Sequence, residues 1–221
     1  MRLFELDQPQ QLNEFKFTAL TQWLTAAKEM IGTQNKGKKQ LSDYGVEDTG
    51  ADPQQENGKL YGKVDPVMLK NNPAFMNELK KFTSKYKASE AEVFGIIRGE
   101  SAFNTKAFNS RSGAMGFFQW MPEVAEELRT STQKIYNMSA DEQMALYNDY
   151  AAKWTKNGRA NLRGRLAMLQ AAPALLTKPD DHVVYKQGSP AWEQNSVWRP
   201  KDGGDITAGS ISAYYKSKTV A

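Results

Sequence analysis

The chain has 221 residues, of which 40% are hydrophobic and 24% charged, with a formal net charge of +4 and a pI near 9.0. That length holds one medium domain with a substantial core plus an appendage, and no apolar run reaches the roughly 18 residues a membrane span needs. Cysteine is absent and the only histidine is His182. Disulfides, thiolate zinc sites and a cysteine nucleophile are therefore excluded, and a zinc amidase lacks its usual ligands. A Ser-His-Asp triad would have to use His182, in "KPDDHVVY", with no nucleophile-elbow motif elsewhere. We read His182 as a loop or helix-end residue, and expect any hydrolytic chemistry to run on carboxylates.

The opening "MRLFELDQPQQLNEF" carries acids and no continuous apolar core, so it does not read as a secretory signal, and any export needed must happen by another route. From about Gln8 to Ile31, Leu12, Phe15, Phe17, Leu20, Trp23, Leu24 and Ile31 recur in helical register. Residues 1–31 are thus expected to form an amphipathic helix whose stripe docks on the main domain or on a partner. Residues 32–59, "GTQNKGKKQLSDYGVEDTGADPQQENGK", are nearly devoid of large apolar residues and are expected to be a mobile linker. Its cluster Lys36, Lys38 and Lys39 reads as solvated linker, not as a nucleic-acid arm, and the remaining basic residues are dispersed.

The compact domain is expected over residues 60–221 and is mainly α-helical. A helix should start at Pro73, a favourable first-turn residue. The next helix, in "SEAEVFGIIRGE", is fixed by the capping box of Ser89 and Glu92. After Phe103, "NTKAFNSRSGAMG" has the polar and glycine content of a loop or small hairpin. Pro122 opens a short helix with acids in its first turn, where the helix dipole favours them. Ser139 and Glu142 form a second capping box. "HVVY" is a short strand signal, and the C-terminal stretch is loop-rich until a final helix near Ala208 to Lys216.

Chemistry concentrates on Glu100. Ile97, Ile96 and Val93 precede it at i−3, i−4 and i−7, so its side chain should point toward the packed side. A carboxyl held there resists ionisation and can donate a proton near neutral pH. Taken alone, such a glutamate is more often a core residue hydrogen-bonded to backbone.

The segment "ESAFNTKAFNSRSGAMGFFQWMP" changes that balance. It resembles the start of the lysozyme-like soluble lytic transglycosylase domain, with matching positions at Glu100, Ser101, Ala107, Ser110, Gly113, Ala114, Gly116, Gln119, Met121 and Pro122. This many fixed spacings in one short stretch rarely arise by chance. The resemblance implies an α+β lysozyme-like fold, dominated by helices, with a small loop or hairpin region. It implies peptidoglycan glycan strands as substrate and needs neither metal nor cofactor. Glycosidases generally need two carboxyl groups. By resemblance Glu100 suffices here, because the C6 hydroxyl of N-acetylmuramic acid attacks its own anomeric carbon and leaves a 1,6-anhydro ring.

Around that acid, the resemblance makes Ser101 an orienting hydroxyl; a hydroxyl bonded back to helix backbone is the equal alternative. Gly113 and Gly116 would let backbone approach the sugar, or simply make a turn. Gln119 has an amide suited to an N-acetyl group. Phe117, Phe118 and Trp120 divide between core and a sugar-stacking wall, with Phe118 carried as a substrate contact together with Met121. The tyrosine that the family sets near its acid is not evident. Tyr147, Tyr150, Tyr185 and Tyr214 compete for it, Tyr185 is carried as the candidate, and "SAYYKSK" reads as a superficial echo.

The second half, "MSADEQMALYNDYAAKW" through "DGGDITAGSI", resembles the longer form of this domain found in tailed-phage endolysins and virion-associated murein enzymes. That implies a virion-associated enzyme, in the phage tail or capsid interior, acting on the wall in the host periplasm, or one held in the host cytoplasm until lysis. The N-terminal helix would then bind a virion protein. A goose-type-like hydrolase and a virion adaptor with a weakly active lysozyme-like domain are the alternatives. Some relatives carry a calcium loop near the C-terminus, but Asp202 and Asp205 alone do not meet its ligand spacing.

Overall fold

The computed structural model describes residues 38–46, 55–155 and 161–219. The amphipathic helix expected over residues 1–31 lies outside the described residues. Two short antiparallel ladders, nine α-helices and three short 3-10 helices make up the regular structure of the described part. The first ladder pairs β1 (Gln55–Glu56) with β2 (Lys59–Leu60). Then come α1 (Pro66–Asn71), α2 (Pro73–Tyr86), α3 (Glu90–Ser101), α4 (Pro122–Glu127), α5 (Thr132–Tyr136), α6 (Ala140–Trp154) and α7 (Leu166–Ala171). The second ladder pairs β3 (Val183–Tyr185) with β4 (Ile206–Thr207), α8 (Pro190–Gln194) lies between its strands, and α9 (Ala208–Lys216) closes the described chain.

Helix starts follow the local chemistry read from the sequence. Proline occupies the first turn of α2 and α4, where its missing N–H would have had no helical partner. At α3 the Ser89 side chain accepts from the Glu92 N–H while the Glu92 carboxylate accepts from the Ser89 N–H. The same reciprocal arrangement joins Ser139 and Glu142 at α6. These caps satisfy otherwise orphaned donors and set where each helix begins.

The core is a helical sandwich rich in aromatics. Helix α2 contributes Phe75, Leu79, Phe82 and Tyr86, all buried, and packs along α6. From α3 come Val93, Phe94, Ile96 and Ile97. Opposite them, α9 crosses both α3 and α7. Gly95 and Gly99, one turn apart on α3, make that crossing close: a Cβ on Gly95 would lie 3.0 Å from the Tyr215 carbonyl, and one on Gly99 would lie 3.0 Å from the Tyr215 ring.

Two parts of the stretch expected to be a mobile linker are built into the domain. Residues 38–46 form a 3-10 turn, Leu41–Tyr44, closed by Gly45 in the left-handed conformation. They dock through the Lys39 N–H to the Ser110 carbonyl at 2.8 Å, the Tyr44 ring edge-on to Phe108 at 6.0 Å, and the Gln133 amide to the Gly45 carbonyl at 2.6 Å. Val46 is buried in the core. Composition misled because the few apolar residues of this stretch, Leu41, Tyr44 and Val46, are concentrated where they can reach one surface. Residues 55–59 belong to the first ladder. The rest of the expected linker lies outside the described residues.

Candidate active site

Glu100 sits in the last turn of α3, directly after the buried stripe that the sequence predicted. The residue keeps a partly exposed face, yet its carboxyl is enclosed by protein. Burial pushes that carboxyl up from its ordinary 4.5 to about 7, against the Tyr215 hydroxyl and the nearby Gln170 amide, which favour the ionised form. Desolvation is the larger influence, because a charge removed from water costs more than two neutral donors return. Among the described residues, no second carboxylate acts on Glu100.

Tyr215 reaches the acid from α9. Its hydroxyl donates to Glu100 Oε1, and burial together with the Glu100 charge holds the phenol well above its usual range, so it stays a donor. Tyr214 packs edge-on against Tyr215 at 5.0 Å and is itself only partly buried. On the other side of Tyr215, Trp198 lies at 6.4 Å, and Tyr185 stacks parallel to Trp198 at 6.4 Å. A row of aromatic rings thus runs from the acid toward β3. Tyr185, the sequence candidate, stands two rings from Glu100, and its phenol is raised by burial.

The tyrosine bonded to the acid is therefore Tyr215, which was not among the four competitors. It belongs to the segment read as a superficial echo. A signal for it was present: glycines four residues apart on α3 mark where a second helix can come close, and the acid lies at the end of that helix.

Gln170 comes from α7. Its amide nitrogen donates to the Phe118 carbonyl at 2.7 Å, and its side chain lies near enough to Glu100 to favour the ionised carboxyl. Sequence reasoning passed over it. The available signal was a lone amide in an otherwise apolar run, "LAMLQAAPALL", since a buried polar residue tells more than another apolar one.

The loop from Ala102 to Met121 joins the acid to α4. It turns at once, with Ala102 and Phe103 both at positive φ, and then closes on itself through bridges from Met115 to Phe108 and to Trp120. This is the small hairpin region the sequence allowed for. Gly113 has φ of +82°, and a Cβ there would lie 2.0 Å from the Tyr44 hydroxyl. Gly116 has φ of +83°, and a Cβ there would lie 2.5 Å from Gln143 Oε1. Both positions thus need glycine for backbone conformation and for close approach by protein atoms.

Gln143, wholly buried on α6, is what approaches Gly116. Its Oε1 accepts from the Phe117 N–H at 2.7 Å, and its amide nitrogen donates to the Thr105 carbonyl at 2.8 Å. It holds the loop to the helical core, a role the sequence reading did not assign.

The other candidates divide. The Ser101 hydroxyl donates to the Ile97 carbonyl at 2.9 Å, the helix-backbone arrangement given as its alternative. The Gln119 amide nitrogen donates to the Gly116 carbonyl at 3.0 Å and the Ala107 carbonyl at 3.2 Å, and its backbone has φ of +49°. Its nitrogen is thus engaged by the loop, while the side chain remains partly exposed. Phe118 is fully buried and stacks on Tyr147 at 3.9 Å with an interplanar angle of 3°. Met121 caps the start of α4 and is partly exposed. Phe117 and Trp120 are core residues. His182 lies in the turn before β3, its carbonyl accepting from the Ala208 N–H. The Asp205 carboxylate accepts from the Gln187 N–H at 2.7 Å.

A mainly helical domain with two small ladders, carrying one enclosed acid at a helix end against a short hairpin region, has the lysozyme-like architecture. Residues 78–148 match the family model of the transglycosylase SLT domain, which supports a soluble lytic transglycosylase domain in this part of the chain. Members of that family are lytic transglycosylases acting on peptidoglycan. No curated protein matches the chain. The matched span contains Glu100, the loop and Gln143, whereas Gln170 and Tyr215 lie beyond it. Among the described residues no helix is long and apolar enough to cross a membrane.

Proposed function

We propose that the chain cleaves the β-1,4 bond between N-acetylmuramic acid and N-acetylglucosamine with Glu100 as its single acid and base, leaving 1,6-anhydro ends. The observation that carries this reading is the enclosed carboxyl with a pKa of about 7 and, among the described residues, no second carboxylate acting on it. A carboxylic acid of that pKa holds its proton near neutrality and can deliver it to the glycosidic oxygen as the C1–O bond breaks. The carboxylate so formed takes the proton of the muramic C6 hydroxyl as that oxygen bonds to C1, which restores the acid. Tyr215 keeps the carboxyl oriented through both steps. The family resemblance offers Ser101, Gly113, Gly116, Phe118, Gln119, Met121 and Tyr185 as sugar contacts. Of these, the partly exposed Gln119, Met121 and Tyr185 remain the candidates to touch substrate, while Gly113, Gly116, Ser101 and Phe118 shape the site from beneath.

The test is Glu100→Gln, assayed on purified murein with mass spectrometry of the products. Wild-type digests are expected to contain anhydro-muropeptides and the variant to be nearly inactive. Reducing ends would instead identify a hydrolase of the goose type, and near-full activity of the variant would end the single-acid mechanism.

We further propose that the enzyme belongs to a tailed phage and travels in the virion, with residues 1–31 bound to another virion protein. The resemblance of the second half to phage murein enzymes supports this, as does the apolar stripe of the N-terminal segment. Deletion of residues 1–31 is expected to abolish incorporation into virions; unchanged incorporation would refute the tether.

A further inference from the structure

The loop from Ala102 to Met121 is held at its base and at its tip by different parts of the chain. At the base, buried Gln143 accepts from the Phe117 N–H at 2.7 Å and donates to the Thr105 carbonyl at 2.8 Å. The tip is more open: Asn109 and Arg111 are exposed, and the turn closes through the Gly113 N–H to the Asn109 carbonyl at 2.7 Å. Residues 38–46 lie across this tip. The Lys39 N–H donates to the Ser110 carbonyl at 2.8 Å, and the Lys39 ammonium donates to the Ser112 carbonyl at 3.0 Å. Tyr44 meets Phe108 edge-on at 6.0 Å, and its hydroxyl rests against Gly113, where a Cβ would lie 2.0 Å from it. The far end is pinned to α5, where the Gln133 amide donates to the Gly45 carbonyl at 2.6 Å. None of these contacts is made to α3 or α9, which carry Glu100 and Tyr215.

We propose that residues 38–46 are a strap that holds this loop in its substrate-binding form, with Tyr44 as the positioning residue. This rests on the reading of Gln119 and Met121 as sugar contacts. The path from strap to sugar is short. Met115 bridges Phe108, which Tyr44 touches, to Trp120, which lies between Gln119 and Met121. Gln119 is itself tied to the Gly116 and Ala107 carbonyls at 3.0 and 3.2 Å, so it follows the loop. A loop held at its base alone opens more readily, because local opening costs little where few contacts are buried. Glycan then binds only the closed fraction, and its apparent affinity falls by that fraction. The acid is not part of this equilibrium, since Glu100 is carried by α3 and its hydroxyl partner by α9. The strap therefore acts on substrate capture, and the proton transfers proceed as before once the strand is bound.

The test compares full-length wild type, Tyr44→Ala, Tyr44→Phe and Gln133→Ala on soluble uncrosslinked glycan strands, with kcat and KM separated and the pH profile recorded. Amide hydrogen exchange of residues 108–120, read by mass spectrometry, follows the loop in the same four proteins without turnover. Tyr44→Ala is expected to raise KM about tenfold, the cost of a binding-competent fraction reduced by that factor. Its kcat should stay within about twofold of wild type, with an unchanged pH profile, the pattern of a loss in binding and not at the reacting centre. Exchange of the loop should quicken. Tyr44→Phe keeps the ring on Phe108 and should restore the wild-type KM and exchange. Gln133→Ala releases the far end of the strap and should shift KM and exchange in the same direction by less. Gln133 is exposed, so this variant decides the matter should Tyr44→Ala fail to fold. An unchanged KM, or a fall in kcat with KM unchanged, would overturn the proposal, as would loop exchange at the wild-type rate. A wild-type protein that leaves murein intact would instead overturn the functional reading, while exchange would still report whether the strap holds the loop.

Discussion

Two buried tyrosines lie within reach of the Glu100 charge, one on the α9 wall and one on the α6 wall, and they are used differently. Tyr215, on α9, gives its hydroxyl to the carboxyl. Tyr147, on α6, is fully buried, stacks on Phe118, and its hydroxyl has no partner among the described residues. Both phenols are held far above their usual range by burial, and both feel the Glu100 charge. Burial and a raised pKa therefore do not distinguish a site residue from a core residue. What separates them is the backbone: Gly95 and Gly99 let α9 come close enough for Tyr215 to meet the acid, whereas Tyr147 is held in an aromatic stack with Phe118, Phe82 and Trp120.

The sharpest blow to either wall is at the acid they share. Glu100→Gln should lower activity on murein by about 10²–10⁴-fold, the usual worth of a general acid or base. The same variant should behave differently in stability. A carboxyl whose folded pKa is raised binds more protons folded than unfolded between pH 4.5 and about 7. Stability contributed by the protonated form is thus present at low pH and lost as the pH rises through that window. The Tm of Glu100→Gln, followed by calorimetry, should exceed that of wild type at pH 8 and converge with it toward pH 5.

On the α9 wall, Tyr215→Phe removes the donor without disturbing packing. About a tenfold loss of kcat is expected, and the alkaline limb should move to higher pH because the bond favoured the ionised carboxyl. Gly99→Ala should act in the same direction more weakly, since its Cβ would press on the Tyr215 ring at 3.0 Å; a loss of about 1–3 kcal/mol in denaturant unfolding is the scale for an overpacked contact. On the α6 wall, Tyr147→Phe should be the mildest change. It deletes a hydroxyl that has no partner among the described residues, so activity should stay within about twofold and stability be unchanged or raised. A Tyr147→Phe enzyme as impaired as Tyr215→Phe would erase the contrast.

Much of this fold was legible in the sequence where local chemistry decides. The capping boxes at Ser89 and Ser139, the prolines at Pro73 and Pro122 and the final helix from Ala208 all appear where their residues predicted them, because caps act within four residues. Glu100 was legible because helical periodicity placed it on the buried stripe. The rest of the site was not, for a different reason in each case. Tyr215 lies 115 residues from the acid it bonds, and only the approach of α9 over two glycines brings it there. Gln170 and Gln143 are single amides in apolar or mixed helices, with no spacing pattern to mark them. The Ser101 hydroxyl has two partners in reach of sequence reasoning, and only geometry assigns it to the Ile97 carbonyl. Residues 38–46 have the composition of a linker, yet Leu41, Tyr44 and Val46 dock them on the domain.

The central claim is that enclosure turns one ordinary glutamate into the acid of this site. Its most direct measurement is the titration of the Glu100 side-chain carboxyl by carbon-13 NMR, assigned by its loss in Glu100→Gln. A midpoint near 7 is predicted. A midpoint at the ordinary 4.5 would leave Glu100 ionised at neutral pH with no proton to give, and would contradict the account.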